Sequence, residues 1–196
     1  MKTTKINTRY VAVTAMLSAV ATVLMYLEFS VPIMPGFIKL DVSELPALIA
    51  SFSMGPISGL AVCLVKNLIK LFFTSTAGVG ELCNFLLGAC FVVPAGIIYS
   101  RRKTFKGAII AGIVGMLCMA VLSLPINYFI SYPFYETLMP REAIIGMYQA
   151  ILPSVNSLFE CLLVFNVPFT FVKGLIDCII TFLIYKRISP LIHGKK

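Results

Sequence analysis

The amino-acid sequence predicts an all-α integral membrane protein with six transmembrane helices and both termini in the cytoplasm. Hydrophobic residues make up 59% of the 196 residues and charged residues only 12%, whereas a soluble domain has about 25% charged residues. Apolar runs recur at about the 20 residues needed to cross a bilayer. Basic residues stand in blocks beside these runs. Six such spans with short connections fit into one domain, residues 1–196.

The composition argues against two other architectures. A soluble protein with a very large core would be unable to cover this much apolar surface, since the mean hydropathy is +0.97. An all-β outer-membrane protein would show short alternating segments instead of long apolar runs. The first apolar run, residues 10–29, lacks a clear cleavage site, so we do not expect a cleaved signal peptide.

The basic residues predict the orientation of the chain. They form three blocks, at residues 2–9, 101–106 and 186–196, each beside an apolar run. Cytoplasmic loops of membrane proteins carry an excess of Lys and Arg. We therefore place these blocks inside the cell, and interpret the formal net charge of +8 as a topology signal and not as a nucleic-acid interface.

The first span is predicted over about residues 9–28. It contains the pattern Ala15-x-x-x-Ala19, and small residues four apart let another helix approach closely in lipid. We expect the face formed by Ala15 and Ala19 either to pack within this protein or to dock a separate subunit.

Residues 30–41 are predicted to form an outer loop, because two prolines and a glycine end the helix there. The loop is apolar for a segment beside water. It either folds over a pocket as a lid or lies in the headgroup region.

The second span is predicted to begin at Asp41 or Ser43 as the helix cap and to be short, because Gly55-Pro56 breaks it. The third span follows over about residues 57–73 and carries Lys66 and Lys70 on one face. A lysine near the bilayer centre costs at least about 2.5 kcal/mol. Lys66 therefore requires a partner or an aqueous cavity. Lys70 either has such an environment too or extends its ammonium group outward to the membrane surface.

The fourth span begins after an outer turn at residues 74–80 and ends at the inner basic block. Glu81 and Asn84 stand in its first turns. Glu81 either stabilises the helix dipole or points, together with Asn84, into an outer cavity.

The fifth span is predicted over about residues 106–128, with Asn127 at its outer end. Residues 131–165 are expected to form a long outer connection with one or two helical pieces. The sixth span is predicted to begin at Val167-Pro168, with Asn166 as its cap, and to end at Arg187.

Three polar residues of the sixth span, Thr170, Lys173 and Asp177, lie at i, i+3 and i+7, which is one face of a helix. Glu81, Asn84, Asn127, Thr170 and Lys173 all fall within about two turns of an outer helix end. This predicts an outward-opening pocket with apolar walls, suited to an uncharged, partly aromatic ligand. Asp177 lies one turn deeper, so we expect it to support Lys173 or to pair with Lys66.

The sequence offers no arrangement typical of catalysis or metal binding. It has no P-loop glycine pattern, and its one histidine, His193, stands in the basic tail. The six cysteines lack the paired spacing of a zinc site. We therefore expect neither catalytic residues nor a metal, although an intramembrane enzyme that uses Glu81 or Asp177 as acid or base stays an alternative.

Several motifs, taken together and in order, resemble those of a known family. They are residues 37–48, Gly55-Pro56, Lys66-Asn67-Leu-Ile-Lys70, Gly80-Glu-Leu-Cys-Asn-Phe85, Asn127-Tyr128 and residues 166–173. Over about residues 10–188 the chain resembles the riboflavin-specific substrate-binding (S) components of energy-coupling factor (ECF) vitamin transporters.

The resemblance implies a bacterial multi-pass cell-membrane protein that binds riboflavin as its transported ligand, with no cofactor of its own. The loop after the first helix and the fourth to sixth helices would bind the vitamin through Leu40, Asp41, Glu81, Asn84, Asn127, Thr170 and Lys173. Thr170 stands where the family often has Asn.

The resemblance also implies partners. A transmembrane coupling subunit would dock on Ala15 and Ala19, and two cytoplasmic ATPase subunits would supply the energy. Two alternatives stay open: an S component for a different vitamin, and a stand-alone small membrane channel or enzyme.

Overall fold

The computed structural model describes residues 8–36, 38–74 and 76–193, with side chains described up to residue 184. The chain is almost wholly helical in these ranges. The helices are α1 (Thr8–Tyr26), α2 (Glu44–Met54), α3 (Pro56–Leu71), α4 (Val79–Arg101), α5 (Phe105–Ile126), α6 (Tyr132–Leu138), α7 (Arg141–Gln149), α8 (Leu158–Cys161) and α9 (Val167–His193). Parts of the first and third basic blocks, and Phe37 of the outer loop, lie outside the described residues.

Four helical stretches among the described residues are long and apolar enough to cross a membrane. They are Thr8–Tyr26, Val79–Arg101, Phe105–Leu138 and Leu158–Ile184. The protein is therefore a multi-pass membrane protein, as its composition predicted.

The two remaining apolar helices, α2 and α3, are shorter, with 11 and 16 residues. At about 1.5 Å per residue neither reaches the roughly 30 Å of a hydrocarbon core. Almost all of α2 is buried among its neighbours, so it lies inside the bundle. The break between them falls at Gly55-Pro56, as predicted. Gly55 has φ of 106°, a conformation that L residues rarely adopt.

The main core lies between α1, α2, α3, α4, α5 and α9. On α1 the buried side includes Leu17, Ala21 and Met25. Ala15 and Ala19 are exposed on the other side of α1. The alternative that these two alanines pack within this protein is therefore wrong.

The outer half of the chain differs from the prediction, because the helix of the fifth span does not end near residue 128. A π-helical turn, Asn127–Ser131, joins α5 to α6, and a second one, Leu162–Asn166, joins α8 to α9. The last long helix thus begins at Leu158. Ser157 is its N-cap and accepts a hydrogen bond from the Glu160 backbone N–H at 3.2 Å.

The predicted N-cap role of Asn166 is therefore wrong, and the reason lies in the prolines. Pro133 and Pro168 each follow a π-helical turn by two residues. A proline inside a helix clashes with the carbonyl four residues earlier, which here belongs to Phe129 and Val164. Both carbonyls lie inside the π-helical turns, where the backbone is wider, so each helix continues through its proline.

Candidate functional site

A cavity of about 170 Å³ lies in the outer part of the bundle. It is bordered by helices α2, α4, α6 and α9, by the two π-helical turns and by the loop that follows α1. Its apolar lining includes Ile38, Leu87, Met119 and Phe169. The polar lining consists of Lys39, Glu44, Asn84, Asn127, Ser131, Tyr132, Tyr135, Asn166, Thr170 and Lys173. Apolar walls with a few directed polar groups are typical of a small-molecule site.

The structure brings four of the seven sequence-predicted binding residues to this cavity. Asn84 comes from α4, Asn127 from the first π-helical turn, and Thr170 and Lys173 from α9. The other three, Leu40, Asp41 and Glu81, lie beside it.

Lys173 is held by two carboxylates. Its Nζ lies 2.9 Å from Asp41 Oδ2 and 2.9 Å from Glu44 Oε2. On the other side of Glu44, Lys66 Nζ lies 2.6 Å from Oε1 and 2.5 Å from Ser43 Oγ. Lys66 is fully buried. The four charged side chains thus form one network that joins the loop, α2, α3 and α9.

This network meets the requirement that the sequence placed on Lys66, and it identifies a residue that the sequence analysis missed. Glu44 stands three residues after Asp41 and is the first residue of α2. In the sequence this position suggested only the start of a helix. It bridges Lys66 and Lys173 and also lines the cavity. An ammonium group has three N–H donors, and Lys173 donates one of them to Asp41 Oδ2 at 2.9 Å, so N–H groups remain for a molecule in the cavity.

Asp41 lies in the loop before α2 and is buried. Burial raises the pKa of Asp41, but the charges of Lys173 and Lys66 and hydrogen bonds from the side chains of Ser43 and Lys173 lower it by more. Its net pKa therefore lies well below the usual value. Asp41 therefore keeps its charge and its ion pair with Lys173 across the physiological pH range.

Asp177 is fully buried, and neither of its oxygens has a hydrogen-bond partner among the described residues. One predicted alternative, an ion pair with Lys66, is wrong, since Lys66 pairs with Glu44 instead. The other alternative, that Asp177 supports Lys173, stays a prediction.

Asn166 belongs to a buried hydrogen-bond triad at the cavity wall. The Tyr148 hydroxyl donates to Asn166 Oδ1 at 2.8 Å, and Asn166 Nδ2 donates to the Tyr132 hydroxyl at 3.3 Å. The two tyrosine hydroxyls also bond each other. The triad fixes the Asn166 amide beside the cavity and ties α7, in the outer connection, to the bundle.

The two π-helical turns supply three of the polar lining residues, Asn127, Ser131 and Asn166. Such turns are rare and occur frequently at functional sites. A proline follows each turn by two residues, but Pro94 and Pro125 lie inside α4 and α5 with no π-helical turn before them, so proline alone does not identify such turns.

Glu81 organises the turn before α4. Its Oε2 accepts hydrogen bonds from Thr74 Oγ1 at 2.8 Å and Thr76 Oγ1 at 3.0 Å. It lines a second cavity of about 310 Å³, together with Asp41 and Asn84. Glu81 thus both closes its own turn and faces a cavity next to the first one.

The loop after α1 packs against the bundle. Its two ends pair as antiparallel strands, β1 (Phe29–Ser30) and β2 (Lys39–Leu40). Met34 and Leu40 are buried, and with Val31 and Ile33 they face α9 across an apolar cavity. The loop therefore has the position of a lid.

Comparisons with known proteins agree with this architecture. The family model for the substrate-specific component of ECF transporters matches residues 9–185. The riboflavin transporter RibU of Staphylococcus aureus (strain TCH60) is 35% identical over 187 residues, covering 93% of this chain and 91% of that protein. The riboflavin transporter FmnP of Bacillus subtilis (strain 168) is 30% identical, covering 94% of each.

A solved structure, described as the S component of a bacterial ECF transporter, superposes with a TM-score of 0.73 at 32% identity. The superposition covers 93% of this chain and 96% of the other. Sequence and fold thus lead to one assignment: the chain belongs to the family of substrate-specific components of ECF transporters, which are transporter subunits and not enzymes.

Proposed function

We propose that this protein captures riboflavin from outside a bacterial cell and delivers it for ATP-driven uptake. In this proposal residues 1–196 form one domain of the cell membrane, with both termini in the cytoplasm. Its six transmembrane helices include α2 and α3, which lie within the membrane although each is shorter than the hydrocarbon core. A transmembrane coupling subunit and two cytoplasmic ATPase subunits complete the transporter.

One observation carries the proposal: Asn84, Asn127, Thr170 and Lys173 meet in one cavity with apolar walls. Isoalloxazine is a flat, largely apolar ring with carbonyl and ring-nitrogen acceptors at one end, to which an N–H of Lys173 donates. Riboflavin is uncharged, which fits a lining without an arginine clamp. The Staphylococcus aureus and Bacillus subtilis relatives are named riboflavin transporters.

The remaining predicted residues have supporting roles in this proposal. Leu40 and Asp41 belong to the lid, and Asp41 holds Lys173. Glu81 and Asn84 face the second cavity. There the Glu81 carboxylate accepts hydrogen bonds from the ribityl hydroxyls, and the Asn84 amide donates to them or accepts from them.

Equilibrium titration of the purified protein tests the ligand. Riboflavin fluorescence is expected to be quenched with a dissociation constant below micromolar, and an excess of thiamine is expected not to displace the flavin. The protein purified without added ligand is expected to show a flavin absorption spectrum. No quenching at micromolar riboflavin, or displacement by thiamine, would contradict the proposal.

The exposed alanines of α1 give a separate test of the partner. Replacing both Ala15 and Ala19 with leucine is expected to lower co-purification of the coupling and ATPase subunits by about tenfold or more, because bulk at small-residue positions prevents close helix approach. Riboflavin binding is expected to stay unchanged, since the two alanines lie on the face of α1 away from the bundle.

The matched control is Val121→Phe, which adds bulk to another exposed helix face, on α5. It is expected to leave co-purification unchanged. If it lowers co-purification as much as the alanine replacements do, the docking role of Ala15 and Ala19 is wrong. If the protein does not require ATPase subunits at all, a stand-alone channel is favoured instead.

A further inference from the structure

The second cavity, of about 310 Å³, lies next to the first one, and the two share Lys39, Gly80, Asn84 and Tyr135 in their linings. The first cavity alone, at about 170 Å³, is smaller than the roughly 300–1,000 Å³ of pockets for drug-sized ligands. A flavin therefore requires both cavities.

The two cavities differ in character, which orients such a ligand. The first is walled by Leu87, Met119 and Phe169 and suits the flat ring. The second is edged by charged and hydroxyl side chains, among them Glu28, Asp41 and Thr76, and suits the polyol chain. The end of that chain then lies beside Glu28, at the outer mouth.

Glu28 forms ion pairs with both lysines at this mouth, Lys39 and Lys70. Its Oε1 lies 2.8 Å from Lys39 Nζ, and its Oε2 lies 2.6 Å from Lys70 Nζ. Burial raises the pKa of Glu28, but hydrogen bonds from Lys39 and Lys70 lower it by more than burial raises it. The net pKa of Glu28 is therefore below its ordinary value. Glu28 thus stays ionised at physiological pH. With Glu28, the carboxylates of Asp41 and Glu81 also line the second cavity and would be neighbours of any anion placed there.

We propose that Glu28 is a specificity-determining residue that selects flavins with an uncharged polyol end over flavins whose chain ends in a phosphate. A phosphate at the mouth would meet three carboxylates, while the two ammonium groups that suit it are already bound to Glu28. The proposal rests on the proposed function, because it assumes that the cavities hold a flavin.

The test is Glu28→Gln, with riboflavin and flavin mononucleotide as the two probes. The substitution removes one carboxylate charge and leaves Lys39 and Lys70 free to form charge-assisted hydrogen bonds with the phosphate. Affinity for flavin mononucleotide relative to riboflavin is expected to rise by about tenfold or more. Titrations at one fixed, low ionic strength measure it, since salt screens exposed charges.

Two further variants sharpen the test. Glu142→Gln removes an exposed carboxylate from α7 and is expected to leave the ratio of the two affinities unchanged. Glu28→Gln combined with Lys70→Met is expected to lose most of the gain, because one of the two phosphate-binding cations is gone.

An unchanged ratio in Glu28→Gln would overturn the inference, as would a loss of affinity that is equal for both flavins. Equal affinity of the wild-type protein for both flavins would also overturn it. Absence of riboflavin binding by the wild-type protein would overturn the proposed function first, and the inference with it.

Discussion

Replacing Lys173 with methionine is expected to weaken riboflavin binding by about 10- to 100-fold. The lysine donates a hydrogen bond to Asp41, forms an ion pair with Glu44 and has N–H groups left for the ligand. A hydrogen bond from a charged donor contributes about 1.5–3 kcal/mol, and about 1.4 kcal/mol corresponds to a tenfold change in affinity. Fluorescence titration with riboflavin measures the loss.

A second variant separates binding from folding. Methionine at position 173 leaves the buried Asp41 without its partner, so Lys173→Met also destabilises the protein. Combining it with Asp41→Asn removes the unpaired charge. The double variant is expected to regain thermal stability in detergent but not riboflavin affinity. Recovery of affinity along with stability would show that Lys173 acts only on the fold.

Lys70→Met supplies the comparison within the same protein. Lys70 is only half-buried and binds Glu28 at the outer mouth, so its replacement is expected to weaken riboflavin binding less than that of Lys173. Equal losses for the two lysines would contradict the roles assigned to them.

Replacing Lys66 with methionine is expected to destabilise the protein by about 3–5 kcal/mol, the cost of removing one partner of a buried ion pair. Lys66 is fully buried and lies 2.6 Å from Glu44. Its loss leaves two buried carboxylates, those of Asp41 and Glu44, to share Lys173. The free energy of unfolding in detergent, from denaturant titration, measures the effect.

A double-mutant cycle isolates the pair itself. The variant that carries both Lys66→Met and Glu44→Gln is expected to lose less unfolding free energy than the sum of the losses in the two single variants. The reason is that the double variant contains neither unpaired charge. The matched control is the Glu136 and Arg141 pair, which is exposed at the surface and whose removal is expected to change stability little. Additive effects of Lys66→Met and Glu44→Gln would contradict direct coupling.

Much of the candidate site could be predicted because membrane insertion constrains polar residues. An ionisable side chain in an apolar run requires a partner or a cavity, which drew attention to Lys66, Lys173 and Asp177. Helical spacing then placed Thr170 and Lys173 on one face, and both line the cavity. Whether these residues contact a ligand stays a prediction.

The pairing of the charges was not predictable from local sequence. Asp177 was a candidate partner of Lys66, but Lys66 pairs with Glu44, which stands on a neighbouring helix. In lipid, side-chain partners depend on the rotation and vertical register of packed helices. Those quantities follow from the whole set of helix contacts and leave little trace in any single segment.

The outer half of the chain was mispredicted because Val167-Pro168 was taken as the start of a helix and residues 131–165 as a connection. Pro133 and Pro168 lie inside continuous helices, each preceded by a π-helical turn. A π-helical turn has no distinct hydrophobic pattern, so the cavity roles of Ser131 and Asn166 went unnoticed. Tyr148, which orients Asn166, lies 18 residues earlier in the chain.

The sequence by itself determined the membrane class, the break at Gly55-Pro56 and the set of polar positions that need an environment other than lipid. These features follow from transfer free energies and backbone stereochemistry, which act locally. The tertiary structure alone decided which carboxylate binds which lysine, that Glu44 links Lys66 to Lys173, and that Ala15 and Ala19 face outward. The physical reason is that these outcomes depend on how complete helices pack against one another.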